Sequence, residues 1–525
     1  MSPDAPTHEP GRDARATAII DMGSNSFRLV VYHWMPGGWF RLVDEIREAV
    51  RLSEGQTDGH LQPRALARAA HAADLYAAYC DAAGIDHIDA VATSAVRDAT
   101  NQDEALDALS AGGRLPVRVL TEDDESRYGY LAAVNGSTVA DGWFLDIGGG
   151  SLQVGRIERR HLTNSMSAAL GAVRLTEAFL TGDQQSGKEA AALRKHVRKQ
   201  LTTHDWIGGG GRMVGIGGAI RTLAVMEQRR AEAPFINPDG HRMTRDGLGE
   251  TIDLLTSLPV AERRGLQGLR SDRADIILAA ALAIDEAMAT AGCERLEVTA
   301  QGLREGVFFE HYLRDEVPPL LPDVRRTSVL NAGLQFEFDR RHAEQVARVA
   351  LAAFDETARL GLHRGDSMER EVLWTAAMLH DVGVLVDYSA HHRHSEYLVL
   401  NTGLPGYDHH ELAMIACMLR GHRKGVPSLK KVYGSLVRED DDARYLRGVA
   451  LLRLSEQLER AKAGQIRELR CRLEDEELVI TVGCEGDPSL PLWSGMAERQ
   501  HVERAFGVTM RLESASGIEV PERPS

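Results

Sequence analysis

Trp143-Phe144-Leu145-Asp146-Ile147-Gly148-Gly149-Gly150-Ser151 is the stretch on which the reading of this chain turns. A short apolar run reads as a buried strand, and it ends in an aspartate and three glycines. Glycines at such a turn let the backbone bend tightly and bring its N–H groups close to an anion. An aspartate fixed at the strand end can hold a divalent metal or a water bound to it. Residues 17 to 31 repeat the device, as Thr17-Ala18-Ile19-Ile20-Asp21-Met22-Gly23-Ser24-Asn25-Ser26-Phe27-Arg28-Leu29-Val30-Val31. A single Asp-Gly turn usually does no more than join two strands. Two of them, with matching chemistry at each tip, point to two facing half-sites around one phosphorylated ligand.

Between and beyond these hairpins, strands alternate with helices from residue 16 to 312, the signature of α/β architecture. Pro63 to Ala83 is an Ala-rich amphipathic helix opened by its proline. Ile88 to Ala92 reads as a strand whose end offers Thr93, Ser94 and Arg97. Those hydroxyls serve equally well as helix caps or, beside the arginine, as part of a phosphate clamp. Thr121 to Tyr130 carries four successive carboxylates, Glu122 to Glu125, at a helix start. Capping and the macrodipole account for three of them. Val214 to Ala224 forms a third strand, Gly-rich turn and helix, a weak nucleotide signal by itself. Pro318, Pro319 and Pro322, followed by Arg325 and Arg326, mark a linker.

From about residue 325 to 463 the pattern is helical, and histidines gather there: His342, His363, His380, His391, His392, His394, His409, His410 and His422. His380-Asp381 at the end of an apolar helix, with His342 about one helix earlier, suits a metal-dependent phosphohydrolase core. Histidines that bond one another or line an anion surface are the plainer alternative. Residues 464 to 515 return to a small α/β appendage.

At 525 residues the chain has room for about three or four domains. Its 43% hydrophobic and 26% charged residues are ordinary for a water-soluble protein. No stretch reaches the ~18 uncharged apolar residues of a membrane span. Met1 to Arg15 lacks the apolar core of a signal peptide and reads as a frayed tail, as does Ser514 to Ser525. The five cysteines are far apart, with no Cys-x-x-Cys pair. That favours a reducing, cytoplasmic setting over disulfides or structural zinc. A formal charge of −16 argues against nucleic-acid binding. An anionic ligand would need locally gathered arginine, N–H groups and Mg²⁺.

Laid side by side, these motifs resemble the exopolyphosphatase / guanosine pentaphosphate phosphatase (Ppx/GppA) family, within the acetate and sugar kinase, Hsp70 and actin superfamily. The resemblance rests on Asp21-x-Gly-Ser-Asn-Ser-x-Arg-Leu29, Ala92-Thr-Ser-Ala-x-Arg-x-Ala-x-Asn101, Asp146-Ile-Gly-Gly-Gly-Ser151, Gly217-Gly-x-Ile-Arg-Thr222, Arg273-Ala-Asp275 and Leu303-Arg-Glu-Gly306, in that order. It implies a two-lobed actin-like fold, with lobes at 16–130 and 131–312, then a helical HD-type domain at 325–463 and the small α/β domain at 464–515. It implies hydrolysis of terminal phosphoanhydride bonds of inorganic polyphosphate, or of guanosine pentaphosphate, with Mg²⁺. A homodimer is implied, with no nucleic-acid or membrane partner.

The implied phosphate-binding set is Asp21, Gly23, Ser24, Asn25, Ser26 and Arg28; Thr93, Ser94 and Arg97; Gly148, Gly149, Gly150 and Ser151; and Gly217, Gly218 and Arg221. Asp146 and Asp21 would hold the metal. Glu125 is the expected base, with Asp146 and residue 153 beside it. The family has a glutamate two residues after the serine of Asp-x-Gly-Gly-Gly-Ser, where this chain has Gln153. An amide keeps the shape but takes no proton and brings no charge to a metal. An active enzyme and a polyphosphate or guanosine tetra/pentaphosphate sensor without turnover are the two readings that follow. In the HD-type domain the implied residues are His342, His380, Asp381, His394 and His422, with Glu456 where a closing aspartate is expected. His391, His392, His394, His422, Arg420, Arg423 and Lys424 suit a basic channel for polyphosphate or a solvated dimer surface equally well.

Overall fold

The first sheet contains β1 (Arg15–Met22), β2 (Phe27–Trp34), β3 (Phe40–Glu48), β4 (Ile88–Ala92) and β5 (Val117–Val119), in the order β3-β2-β1-β4-β5. β1 to β3 form an antiparallel meander, and β4 and β5 run parallel to β1. The second sheet repeats that plan. Its meander is β6 (Gly142–Ile147), β7 (Leu152–Glu158) and β8 (His161–Ala168), with β9 (Arg212–Ile216) added parallel to β6. β10 (Arg242–Thr244) and β11 (Arg295–Val298) complete the order β10-β11-β9-β6-β7-β8. β1 and β6 are central in their sheets, so both faces are covered. Ala18, Ile19 and Ile20 are accordingly fully buried, as are Trp143, Phe144 and Leu145.

Both sheets meet one core, built with the helices Glu122–Gly136 and Leu303–Tyr312. The first of these helices starts where the sequence reading placed it. Thr121 Oγ1 accepts from the Asp124 N–H (3.1 Å) while Asp124 Oδ2 accepts from the Thr121 N–H (3.0 Å), a reciprocal cap. Gly306 lets the second helix lie on the Tyr128 backbone of the first. Tyr32 of β2 stacks on Phe308 at a centroid distance of 4.1 Å, which ties the first sheet to the same helix.

The computed structural model describes residues 14–180, 182 and 185–515, and the chain divides between Val324 and Arg325 into two compact units. The second unit is helical from Arg325 to Leu458. It ends in a three-stranded sheet of β12 (Ile466–Glu474), β13 (Glu477–Cys484) and β14 (Thr509–Ser514). Arg15 and Ser514, read from sequence as tail residues, belong to β1 and β14, where ladder pairing satisfies their backbones. The rest of those tails, before residue 14 and after residue 515, lies outside the described residues. The five cysteines are free thiols, and four are buried. Among the described residues no helix is long and apolar enough to cross a membrane.

Adding a methyl group at Gly306 would drive it into the Tyr128 carbonyl. Gly306→Ala is expected to cost about 1–3 kcal/mol, read as a lower urea midpoint at unchanged slope. An unchanged midpoint would mean that the two helices separate without penalty.

Candidate active site

The β1–β2 and β6–β7 hairpin tips face one another across a cavity of about 150 Å³. In the strand registers Asp21 stands opposite Arg28, and Asp146 stands opposite Gln153. The glycine turn 148–150 is shaped from behind by the helix Ala172–Phe179. The Ala172 and Val173 N–H groups donate to the carbonyls of Gly148 and Gly149 (2.9 Å each), and Gly171 donates to Gly150 (3.2 Å). Each trans peptide sets its N–H opposite its carbonyl. The N–H groups of Gly149, Gly150 and Ser151 are therefore aimed away from that helix, and these residues line the cavity. No side chain fits at Gly150, where a Cβ would clash with Ser94 Oγ and lie 3.0 Å from Ser24 Oγ.

Of the sequence-derived set, Asp21, Gly23, Ser24, Asn25, Ser26, Arg28, Thr93, Ser94, Glu125, Asp146, Gly148, Gly149, Gly150, Ser151, Gln153, Gly217, Gly218 and Arg221 all line this cavity. The Thr93 side chain makes no capping bond, so its place at the helix start leaves the hydroxyl to the cavity. Arg97 is not in the wall. Its Nη1 donates to Glu125 Oε1 (2.7 Å) and to the Leu120 carbonyl (3.1 Å).

Glu125 is only 4% exposed and is held from three directions. Besides Arg97, its Oε2 accepts from Ser151 Oγ (2.9 Å) and from Gln153 Nε2 (2.6 Å). The same amide nitrogen lies 2.8 Å from Ser151 Oγ and 3.1 Å from Ser167 Oγ. Turning the amide over would set its oxygen against the carboxylate, so Glu125 dictates which end of Gln153 faces it. Burial raises the Glu125 carboxyl above its ordinary range, and Arg97 and Ser151 partly offset this. Asp146 is pushed up to about 7 by burial and then by the charges of Glu125 and Asp21. Asp21 is raised by burial, against the pull of Arg304 and Arg28.

Arg28, Arg221, Arg273 and Arg304 line the same cavity. Arg28 and Arg304 share Glu45 Oε1 at 3.0 and 3.2 Å. Arg221 donates to the Ala300 carbonyl (2.5 Å). The Nε of Arg273 is buried and has no partner among the described residues. Burial, then Arg304 and Arg221, brings Arg28 down to about 9, and burial with Arg47 brings Arg273 down to about 10. Such crowding of like charges is relieved by an anion. Sequence reasoning left Arg273 and Arg304 out of the site although it quoted both in motifs. Nothing in their spacing says that they point into the cavity.

The donors that could hold a metal here are carboxylate oxygens, and no histidine or cysteine is among the cavity-lining residues described. An all-oxygen set suits Mg²⁺. The charges of Glu125 and Asp21, which raise the proton affinity of Asp146, are also the pattern a divalent ion balances.

In the second unit His342, His380, Asp381 and His422 come together, joined by Glu456 and by His391. His394 is not in the cluster; His391, three residues earlier on the helix His391–Thr402, takes that place. Of the seven residues grouped as a basic channel or a solvated surface, His394, Arg420, Arg423 and Lys424 are at least partly exposed and three histidines are not. His391, His392 and His422 are buried, and burial followed by neighbouring cations or imidazoles lowers His392 to about 4 and His422 to about 3. Arg420 is paired with Glu396 at 2.7 Å. His380 alone rises, to about 9: burial opposes its charge, but Asp381 and Glu456 outweigh it.

The sequence profile of the Ppx/GppA phosphatase family matches residues 30–315, and that of domain III of Ppx/GppA phosphatases matches residues 324–486. The chain is 26% identical over 420 residues to the guanosine-5'-triphosphate,3'-diphosphate pyrophosphatase of Aeromonas hydrophila, covering 77% of this chain and 80% of that protein. It is 29% identical over 297 residues to exopolyphosphatase 1 of Mycobacterium tuberculosis, covering 55% of this chain and 86% of that one. The crystal structure of the Aquifex aeolicus Ppx/GppA family member superposes with a TM-score of 0.51 at 26% identity, over 58% of this chain and 99% of that chain. The two sheets give the first unit a two-lobed α/β fold like that of this family member.

Gly150→Ala places a methyl group where the hairpin tips meet. Titration calorimetry with pyrophosphate is expected to show binding weakened at least about tenfold, with the circular dichroism spectrum unchanged. Undiminished binding would move the anion site away from this turn.

Proposed function

The chain belongs to the Ppx/GppA phosphatase family, and we propose that its cleft hydrolyses the terminal phosphoanhydride bond of inorganic polyphosphate, and of guanosine pentaphosphate where that reaches it. The observation that carries this reading is the placement of Glu125. A buried carboxylate, oriented by Arg97, Ser151 and Gln153, lines a cavity that four arginines also line.

In this reading the N–H groups of Gly149, Gly150 and Ser151 and the hydroxyls of Ser24 and Ser94 grip the terminal phosphate. Arg28, Arg221, Arg273 and Arg304 neutralise it and its neighbour. Asp146 and Asp21 would hold Mg²⁺, which when bound supplies positive charge to the phosphate oxygens. Glu125 takes the proton of the attacking water, the bond to the terminal phosphorus breaks, and the shortened chain leaves with the electron pair of its bridging oxygen. Gln153 keeps Glu125 aimed: its amide donates where a glutamate side chain would repel.

A second reading, a sensor that binds polyphosphate or guanosine tetra/pentaphosphate without turnover, is favoured by the same residue. Gln153 brings no charge to a metal. Phosphate release from long-chain polyphosphate with Mg²⁺ separates the two. Release by the wild type, cut about 10²–10⁴-fold in Glu125→Gln, is the outcome expected of the enzyme. Binding without release, with release appearing in Gln153→Glu, would establish the sensor.

The pH profile gives an independent check. Glu125 must be ionised to act, and Arg97 is the cation that restrains its burial-raised proton affinity. Arg97→Ala removes that restraint, so the carboxyl rises further and the acidic limb of kcat/KM moves to higher pH. An unmoved limb would exclude Glu125 as the base.

A further inference from the structure

Glu45, which lies in none of the family motifs, holds two of the four cleft arginines at once. Arg28 Nη1 and Arg304 Nη1 both donate to its Oε1, at 3.0 and 3.2 Å. The strand ladder accounts for the first contact. Glu45 of β3 stands opposite Val30 of β2, so it shares a sheet face with Arg28, one pair further along. Arg304 arrives from the first turn of the helix Leu303–Tyr312. Both arginines line the cavity, and Glu45 is not among the residues that do. Each arginine thus borders two anion positions, one taken by Glu45 and one open to a ligand.

The three groups differ in their freedom to move. The side chains of Arg28 and Arg304 are 13% and 7% exposed, whereas that of Glu45 is 40% exposed. β3 is an edge strand of its sheet, and Arg41 to Glu45 along it all face water. The Glu45 carboxylate has room to turn into solvent, and the guanidiniums cannot follow it. Glu305, the next carboxylate on the helix, is fixed by contrast. It is buried and accepts from Tyr32 Oη (2.9 Å) and from the Gly302 N–H (2.7 Å). Burial by itself would raise the Glu45 carboxyl, but Arg304 and Arg28 outweigh it and hold the group below its ordinary range. Glu45 is therefore charged at neutral pH, where it neutralises part of the cationic lining. A guanidinium grips a phosphate best through two parallel N–H bonds, and here the Nη1 atoms are committed to a carboxylate. A lone phosphate brings few charges and oxygens with which to draw them away. A run of linked phosphates brings more, and can engage both arginines together.

We propose that Glu45 is an internal competitor for Arg28 and Arg304, and that it sets the preference of the cleft for linked phosphates over orthophosphate. The inference rests on the reading of this cleft as the phosphate site. A chain end displaces the carboxylate, and its return helps to expel the single phosphate left after hydrolysis. The test is titration calorimetry of the full chain with orthophosphate and with tripolyphosphate, EDTA being present to withhold divalent ions. Glu45→Gln keeps the shape of the side chain and removes its charge. Orthophosphate is expected to bind Glu45→Gln about tenfold more tightly than the wild type. Tripolyphosphate should gain less, so that the preference for the longer anion narrows. Asp44→Asn removes the same charge one residue away, where the side chain accepts from Tyr79 Oη (2.6 Å), and should leave the ratio unchanged. If Glu45 only held the arginines in place, its loss would weaken both anions. That result, an unchanged ratio, or an equal effect from Asp44→Asn would overturn the inference and leave the cleft as an anion site. Binding of neither anion to the wild type or to Glu45→Gln would overturn the cleft reading itself, and this inference with it.

Discussion

A charged carboxylate almost out of reach of water is the constraint on which the first unit is organised. Glu125 keeps its position because Arg97, from the short helix Ser94–Arg97 that follows β4, supplies a cation, while Ser151 and Gln153, from the other sheet, supply a hydroxyl and an amide. Leaving such a group without partners would cost several kcal/mol. The helix that carries it must therefore lie where the helix bearing Arg97 and the β6–β7 hairpin can both reach its first turn. Gly129 against Phe144 and Gly306 against Tyr128 allow that close approach. The core and the site are thus solutions to one packing problem.

The repeated sheet plan shows how one device can be given two tasks. Both meanders carry a half-buried aspartate near the end of their first strand and turn on small residues. The residue across the ladder differs: Arg28 in one, Gln153 in the other. An arginine beside Asp21 adds to the cationic wall, and an amide beside Asp146 serves a neighbouring carboxylate. The duplicated positions carry different side chains on one backbone, and the cavity they line holds both guanidinium and carboxylate groups.

Much of this was legible from the chain because it lies in short, local patterns. Apolar runs ending in Asp-x-Gly located both hairpins, and the four carboxylates after Thr121 located the helix start that carries Glu125. What was not legible depends on side chains meeting across long sequence separations. Arg273 and Arg304 reach the cavity from elements far along the chain, and no periodicity reports that. Arg97 was grouped with the phosphate ligands, yet its guanidinium is spent on Glu125. His391, His392, His394 and His422 were grouped with nearby basic residues as a channel or a solvated surface, because histidine is polar and sequence does not show which way a helix turns it. Their helices instead turn His391, His392 and His422 inward, and a one-turn slip along one helix exchanges His394 for His391.

The recessed position of the four arginines also governs how an anion arrives. The chain as a whole carries −16, and a polyanion at a distance meets that field rather than the guanidinium wall. Attraction begins only within about a Debye length of the mouth, ~8 Å at physiological ionic strength. Salt therefore acts in two opposed ways, screening the long-range repulsion that slows encounter and weakening the short-range attraction that retains the ligand. Capture in this cleft is kinetically the reverse of electrostatic steering, with ions in the medium helping the ligand in and helping it out.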